Sequence, residues 1–214
     1  MNRIIDAIKN VSPILNGKES ILEMKDANYN WKQTEWAGFY IELQMAKLLG
    51  IEDFSKAWGN RYGNTVFDAQ LNGVDIDFKV HSIKNANGKN TPNTIICNDL
   101  NAIKASLDKN QFIHFIVFNT DFAFDNTGLF KKWHDELKGS VSNYCKKHTG
   151  KSRKRKVNGI IQTVNIYTVT SNILNNNDIS TTTIFKRNSN GKERAPKLTL
   201  KLSNFAPDYS IKLT

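Results

Sequence analysis

The sequence predicts an α/β fold, a central mixed β-sheet flanked by helices. Three observations carry this. A strong helical pattern precedes two alternating runs joined by Asn72-Gly73; a helix, a strand and a second helix follow; and further strand-like runs close the chain. The first thirty residues read as one or two short helices, broken at Ser12-Pro13 and Asn16-Gly17. Asn30–Leu49 is the strongest helix and is closed by Gly50. Two strands, Thr65–Leu71 and Val74–Ser82, meet at Asn72-Gly73, the two-residue link that best signals a hairpin. Asp99 reads as the N-cap of a helix reaching Leu107, Gln111–Asn119 as a buried strand, and Leu129–His148 as an amphipathic helix. Strands are expected at Gly159–Thr170, Thr182–Lys186 and Lys197–Leu202.

A chain of 214 residues with 39% hydrophobic and 10% aromatic residues can bury a core, and one domain spanning 1–214 is expected. Thirty Lys and Arg against 20 Asp and Glu leave a net charge of +10. Such an excess selects polyanionic partners, with nucleic acid foremost. No run approaches the roughly 18 apolar residues of a membrane span, and the start lacks a signal peptide's apolar stretch. Cys97 and Cys145 stand far apart and make neither a disulfide framework nor a zinc site. A cytoplasmic protein without a membrane partner is therefore expected.

Pairing across Asn72-Gly73 sets Leu71 against Val74, Gln70 against Asp75, Ala69 against Ile76 and Asp68 against Asp77. One face then carries Phe67, Ala69, Leu71, Val74, Ile76, Phe78 and Val80. The other carries Val66, Asp68, Gln70, Asp75, Asp77, Lys79 and His81, and is expected to lie outside the core. Opposed carboxylates repel unless a cation sits between them. Lys79 is one such cation; Mg²⁺, which prefers carboxylate oxygens, is another. Asp75 shares the face and is an alternative first acid, and His81 is an accessory candidate. In the preceding helix, Glu42 interrupts an apolar stripe of Gly38, Phe39, Met45, Ala46 and Leu49, which is costly for an unpaired carboxylate. Gln33, Tyr40, Gln44 and Lys47 mark the expected solvent face. Gly38 leaves a shallow spot one turn before Glu42.

Asp68 followed by Asp77-Phe78-Lys79, with Gly38-Phe-Tyr-Ile-Glu42 on the helix before them, is similar to the signature of the PD-(D/E)xK nucleases. Phe67 stands where that family usually has Pro, and Asp77 where Glu is commoner. Trp31 to Glu42, with Phe67-Asp68 and Asp77-Phe-Lys-Val-His81, resembles small type II restriction enzymes in particular. The resemblance covers about 31–119 and implies a restriction-endonuclease-like core, with 120–214 completing the sheet and contacting DNA. It implies Mg²⁺-dependent, sequence-specific cleavage of double-stranded DNA to 5′-phosphate and 3′-hydroxyl ends. Asp68, Asp77 and Glu42 would hold one or two ions, and Lys79 would position the nucleophile. It further implies a homodimer and a companion DNA methyltransferase in the host. A mismatch-nicking or junction-resolving nuclease of the same superfamily is one alternative, and a non-catalytic basic nucleic-acid-binding module is another.

Two basic segments, Lys146–Lys156 and Arg187–Lys197, are expected to contact DNA phosphates. Lys151, Arg153, Arg155, Arg187 and Arg194 are the candidates there, with Arg61 in the loop before the hairpin. Arginine is also the residue type that reads guanine bidentately.

Overall fold

The computed structural model describes residues 1–51, 67–139, 154–184 and 194–214. It is a mixed α/β structure in which helices flank a curled mixed sheet. Among the described residues the elements are α1 (Asn2–Lys9), β1 (Ile14–Asn16), α2 (Gly17–Asp26), α3 (Trp36–Leu48), β2 (Ala69–Leu71), β3 (Val74–Ser82) and β4 (Thr94–Asp99). There follow α4 (Leu100–Asn110), β5 (Phe112–Phe124), α5 (Leu129–Leu137), β6 (Lys156–Thr170), α6 (Ser171–Leu174), β7 (Ser180–Thr183), β8 (Lys197–Lys201) and β9 (Tyr209–Lys212).

The central sheet runs β1-β6-β5-β3-β2, with β9 also paired to β6. Only β3 and β5 pair in parallel, joined by a crossover that includes β4 and α4; the other pairs are antiparallel. A three-stranded antiparallel sheet, β4-β8-β7, packs as a separate layer. Alternation along β5 sorts the core: Ile116, Phe118 and Phe122 join the cluster beneath α1, α2, α3 and α5. Ile113, Phe115 and Val117 join the cluster with α4 and the small sheet. The central sheet is thus covered on both faces around the middle of β3 and β5. None of the helices among the described residues is long and apolar enough to cross a membrane.

The hairpin forms where expected. Asn72 and Gly73 both take positive φ, 50° and 83°, as a two-residue turn with the twist of its strands requires. Asp99 caps α4 by accepting from the N–H groups of Asn101 and Ala102. The expected break at Ser12-Pro13 leads not into helix but into β1, which pairs Ile14 with Ile160 and Asn16 with Asn158. Asn16 then caps α2. A Cβ on Gly17 would collide with the Val157 carbonyl, so only glycine lets α2 begin this close to β6.

Other boundaries shift. Helix α3 starts at Trp36 rather than Asn30, and β5 runs on to Phe124, because antiparallel pairing with β6 continues past Asn119. Strand β7 is Ser180–Thr183, and the described part of the expected Leu129–His148 helix is Leu129–Leu137. Residues 65–66, 140–148 and 185–186 lie outside the described residues. The expected solvent face of α3 packs on α2 instead. Tyr40 Oη and Gln44 Nε2 donate to Glu23 at 2.9 and 2.8 Å, and Lys47 Nζ meets the same carboxylate at 2.6 Å.

Candidate active site

Hairpin, helix and small sheet bring four of the expected side chains together: Glu42, Asp68, Asp77 and Lys79. Asp77 lies in the middle of β3, beside Phe115 of β5, on the face covered by the small sheet. It is 1% exposed, so the polar face of the hairpin is buried here rather than lying outside the core. Its Oδ1 accepts from Asn98 Nδ2 at 3.1 Å. Its Oδ2 makes no hydrogen bond of regular geometry and faces the Lys79 ammonium as an ion pair. Lys79 Nζ also donates to Asn98 Oδ1 at 3.4 Å. Asn98 therefore bridges acid and base, one amide fixing both.

Asp68 departs from its expected place opposite Asp77. The register holds for Leu71–Val74, Gln70–Asp75 and Ala69–Ile76. At Asp68 the pattern changes: its N–H donates to Ile76 O at 2.9 Å, and its Oδ2 accepts from Phe78 N at 2.7 Å. The carboxylate thus fills the position a continuing strand's carbonyl would take, at the sheet edge rather than squarely on one face. Alternation fails for the same reason at Phe67, which packs against the cluster that contains Ile95 and Cys97 rather than the one that contains Ile76 and Phe78.

Glu42 approaches from the helical layer. Tyr29 Oη donates to its Oε2 at 2.5 Å. Open space beside Gly38 keeps the backbone of that turn accessible, since a Cβ there would meet nothing within 4 Å.

The electrostatics follow from crowding three carboxyls and one ammonium into a poorly hydrated space. Burial, with repulsion from Asp77, pushes Glu42 up to about 7, against the pull of Tyr29 and Lys79. Burial again, then the charges of Asp77 and Glu42, hold Asp68 well above its ordinary 3.8. Burial alone would lower Lys79, but Asp77 and Asp68 outweigh it and keep the amine charged well above the usual lysine range. At neutral pH the cluster holds more acid than base. A further cation would relieve it.

A divalent ion suits this donor set in type: hard carboxylate oxygens, three carboxyls against one ammonium, and a buried Asp77 oxygen without a regular hydrogen bond. The ligands are not gathered around a common point. Among the described residues no three His, Cys, Asp or Glu side chains stand at metal-holding spacing, and the Lys79 ammonium lies against Asp77 Oδ2.

The remaining candidates lie elsewhere. Asp75 turns to α4, accepting from Ser106 Oγ and from Asn110 Nδ2 at 3.0 Å, and from Gln70 Nε2 at 2.9 Å. His81 has both ring nitrogens engaged, Nδ1 with Asn119 Oδ1 at 3.2 Å and Nε2 with Pro92 O at 3.0 Å. Arg155 precedes β6, and its carbonyl accepts from Asp125 N at 2.8 Å. Arg194 is exposed, three residues before β8. Arg61, Lys151, Arg153 and Arg187 lie outside the described residues.

Asn98 is the residue that sequence reasoning passed over as part of a helix cap. A register shift in β4 between Ile96 and Asp99 adds a residue to the strand. Cys97 can thus enter the core while its neighbour Asn98 also reaches the central sheet, against simple alternation. No periodicity announces that. No family model, no curated protein and no solved structure matches the chain.

Proposed function

We infer that the chain is a Mg²⁺-dependent endonuclease of the PD-(D/E)xK kind, cutting double-stranded DNA in the manner of a type II restriction enzyme. The observation that carries this reading is the enclosed Asp77–Lys79 pair, bridged by Asn98 and drawn together with Asp68 and Glu42 from two other segments. Burying an ion pair is costly and seldom adds stability. A site of this composition at the meeting of three segments is better explained by chemistry than by packing.

Asp68, Asp77 and Glu42 are the residues that would hold Mg²⁺, which supplies charge neutralisation at the phosphate and a more acidic water. Lys79, kept cationic by its carboxylates, can orient that water and stabilise negative charge developing on a phosphate oxygen. Asn98 holds Lys79 and Asp77 in register. The net charge of +10 supplies long-range attraction to the duplex. Cutting both strands calls for two such sites, hence a homodimer or two successive nicks.

The test is a digest of plasmid DNA with Mg²⁺ and with excess chelator, followed by sequencing of the ends. Discrete ends bearing 5′-phosphates, formed only with Mg²⁺, are expected; full cleavage in chelator refutes the metal role. A second reading, a non-catalytic DNA-binding module, draws on the lack of a gathered three-ligand group among the described residues. It requires equal binding with and without Mg²⁺, and no cleavage.

A further inference from the structure

Helix α2 ends in a way that fixes the place of Tyr29. Ala27 closes the helix, and Asn28 after it takes a left-handed φ of 51°. Asn28 N donates to Lys25 O at 3.0 Å, and Tyr29 N donates to Met24 O at 2.7 Å. This is the Schellman ending of a helix, with asparagine where glycine is commonest. The apolar pair that accompanies such an ending is here Met24 and Tyr29, both buried in one core cluster. Asn30 is left-handed again, with a φ of 38°. Two asparagines in a region that side chains seldom occupy thus flank one tyrosine.

The ring so placed meets α3 at two residues one turn apart. It packs edge-on with Phe39, the ring centroids 6.4 Å apart and the planes at 71°. Its hydroxyl donates to Glu42 Oε2 at 2.5 Å. Glu42 Oε1 accepts no hydrogen bond among the described residues, and it is not one of the side-chain atoms sealed from solvent without a partner. One oxygen is tied to the protein and the other is left open. Glu23 shows the contrasting arrangement between the same two helices. Its Oε2 takes the hydroxyl of Tyr40, and its Oε1 takes Gln44 and Lys47, so that both oxygens are spent on packing α2 against α3.

We propose that Tyr29 is a positioning residue for Glu42, holding Oε2 so that Oε1 is the oxygen this carboxylate offers to the divalent ion. This rests on the nuclease reading. Tyr29 touches neither substrate nor ion in this scheme and acts through Glu42 alone. A carboxylate already held in one orientation has less side-chain freedom to lose when an ion binds. The backbone conformation of Asn28 and Asn30 is what aims the hydroxyl.

The experiment measures Ca²⁺ affinity by titration calorimetry and, in parallel, the Mg²⁺ dependence of plasmid cleavage. It compares the wild-type chain, Tyr29→Phe, Glu42→Gln, the double variant of these two, and Tyr40→Phe. Phenylalanine keeps the ring against Phe39 and removes only the hydroxyl. Tyr40→Phe takes a hydroxyl from Glu23 instead and serves as the control. Tyr29→Phe should bind Ca²⁺ about 10- to 100-fold more weakly. Its half-saturating Mg²⁺ should rise in the same proportion, while the cleavage rate at saturating Mg²⁺ stays within about threefold of wild type. A tyrosine with only a structural role would leave both metal dependences in place. The double variant should bind Ca²⁺ no more weakly than Glu42→Gln alone, because the hydroxyl acts through that carboxylate. Tyr40→Phe should match the wild-type chain. Unchanged Ca²⁺ affinity in Tyr29→Phe, or full additivity in the double variant, overturns the positioning role; a wild-type chain that still cuts with Mg²⁺ leaves the nuclease reading standing. A wild-type chain that neither binds Ca²⁺ nor cuts DNA overturns both.

Discussion

Raising the pH of the metal-free protein from about 5 to about 8 should weaken its fold through Glu42. The carboxyl titrates at about 7 in the folded chain against an ordinary 4.5, so between these values the folded state holds a proton that the unfolded state has released. Stability from this group is fully present below pH 4.5 and is lost as the pH climbs through 7. The interval corresponds to about 3 kcal/mol at about 1.36 kcal/mol per pH unit. Asp68, also raised, adds to the loss in the same direction. Glu42→Gln keeps an acceptor for Tyr29 Oη and removes the charge. Urea unfolding of both chains in chelator provides the assay. Relative to Glu42→Gln, the wild-type chain should be less stable at pH 8 than at pH 5 by about 2.5 kcal/mol, since part of the interval lies below pH 5. Equal pH dependence in the two chains refutes the burial argument for Glu42. Adding Mg²⁺ at pH 8 should return stability to the wild-type chain, by about 2.7 kcal/mol at a hundredfold excess over Kd, and should return less to Glu42→Gln.

Lys79→Met should cost about 3 kcal/mol by stranding the buried Asp77 charge, at the low end of such losses because Lys79 is 23% exposed. The double variant Asp77→Asn with Lys79→Met should recover part of that loss, and a double that unfolds no later than the single in a thermal melt contradicts the pairing. Asp77→Asn and Asp68→Asn should each slow cleavage at least about a hundredfold, while Asp75→Asn, bound to α4, should affect melting more than turnover; a plasmid time course that finds Asp75→Asn inactive and Asp68→Asn active reverses the ligand assignment. Ca²⁺, larger and looser in geometry, should support binding in a gel-shift assay without turnover. Gly159→Ala would place a Cβ 2.7 Å from the Phe122 ring and should lower the melting temperature, whereas Gly38→Ala, with open space at that position, should not.

Much of the site could be read from residue order because its cues are local. Glu42 betrayed itself as a charge inside an apolar stripe, and the Asn72-Gly73 turn fixed the register of Asp75 and Ile76. What escaped notice depends on distant partners. Strand β1 is three residues long and exists because β6 offers it an edge. Strand β9 pairs with the same β6 although its own pattern is short and polar. Strand β4 was missed because its register shift spoils the alternation that signals a strand, and with β4 went Asn98. Asp68 was placed by ideal pairing, which cannot foresee a side chain taking over a main-chain acceptor's place. The expectation that this face lies outside the core failed at Asp77 because the small sheet, completed by residues far along the chain, covers it.

The pairing of β4 with β8 also has a consequence for the order of events during synthesis. Asp99 and Lys197 are partners across 98 positions of chain, so β4 must wait for its neighbour until that whole interval has left the ribosome. Until then Asp77 and Lys79 have no lid, and the strand carrying Asn98 has an unpaired edge. A nascent chain halted before β8 would possess the acids and the lysine and still lack the layer that encloses them. For a protein read as a DNA-cutting enzyme, the late closure of this one strand pair would delay competence until β8 has emerged and paired.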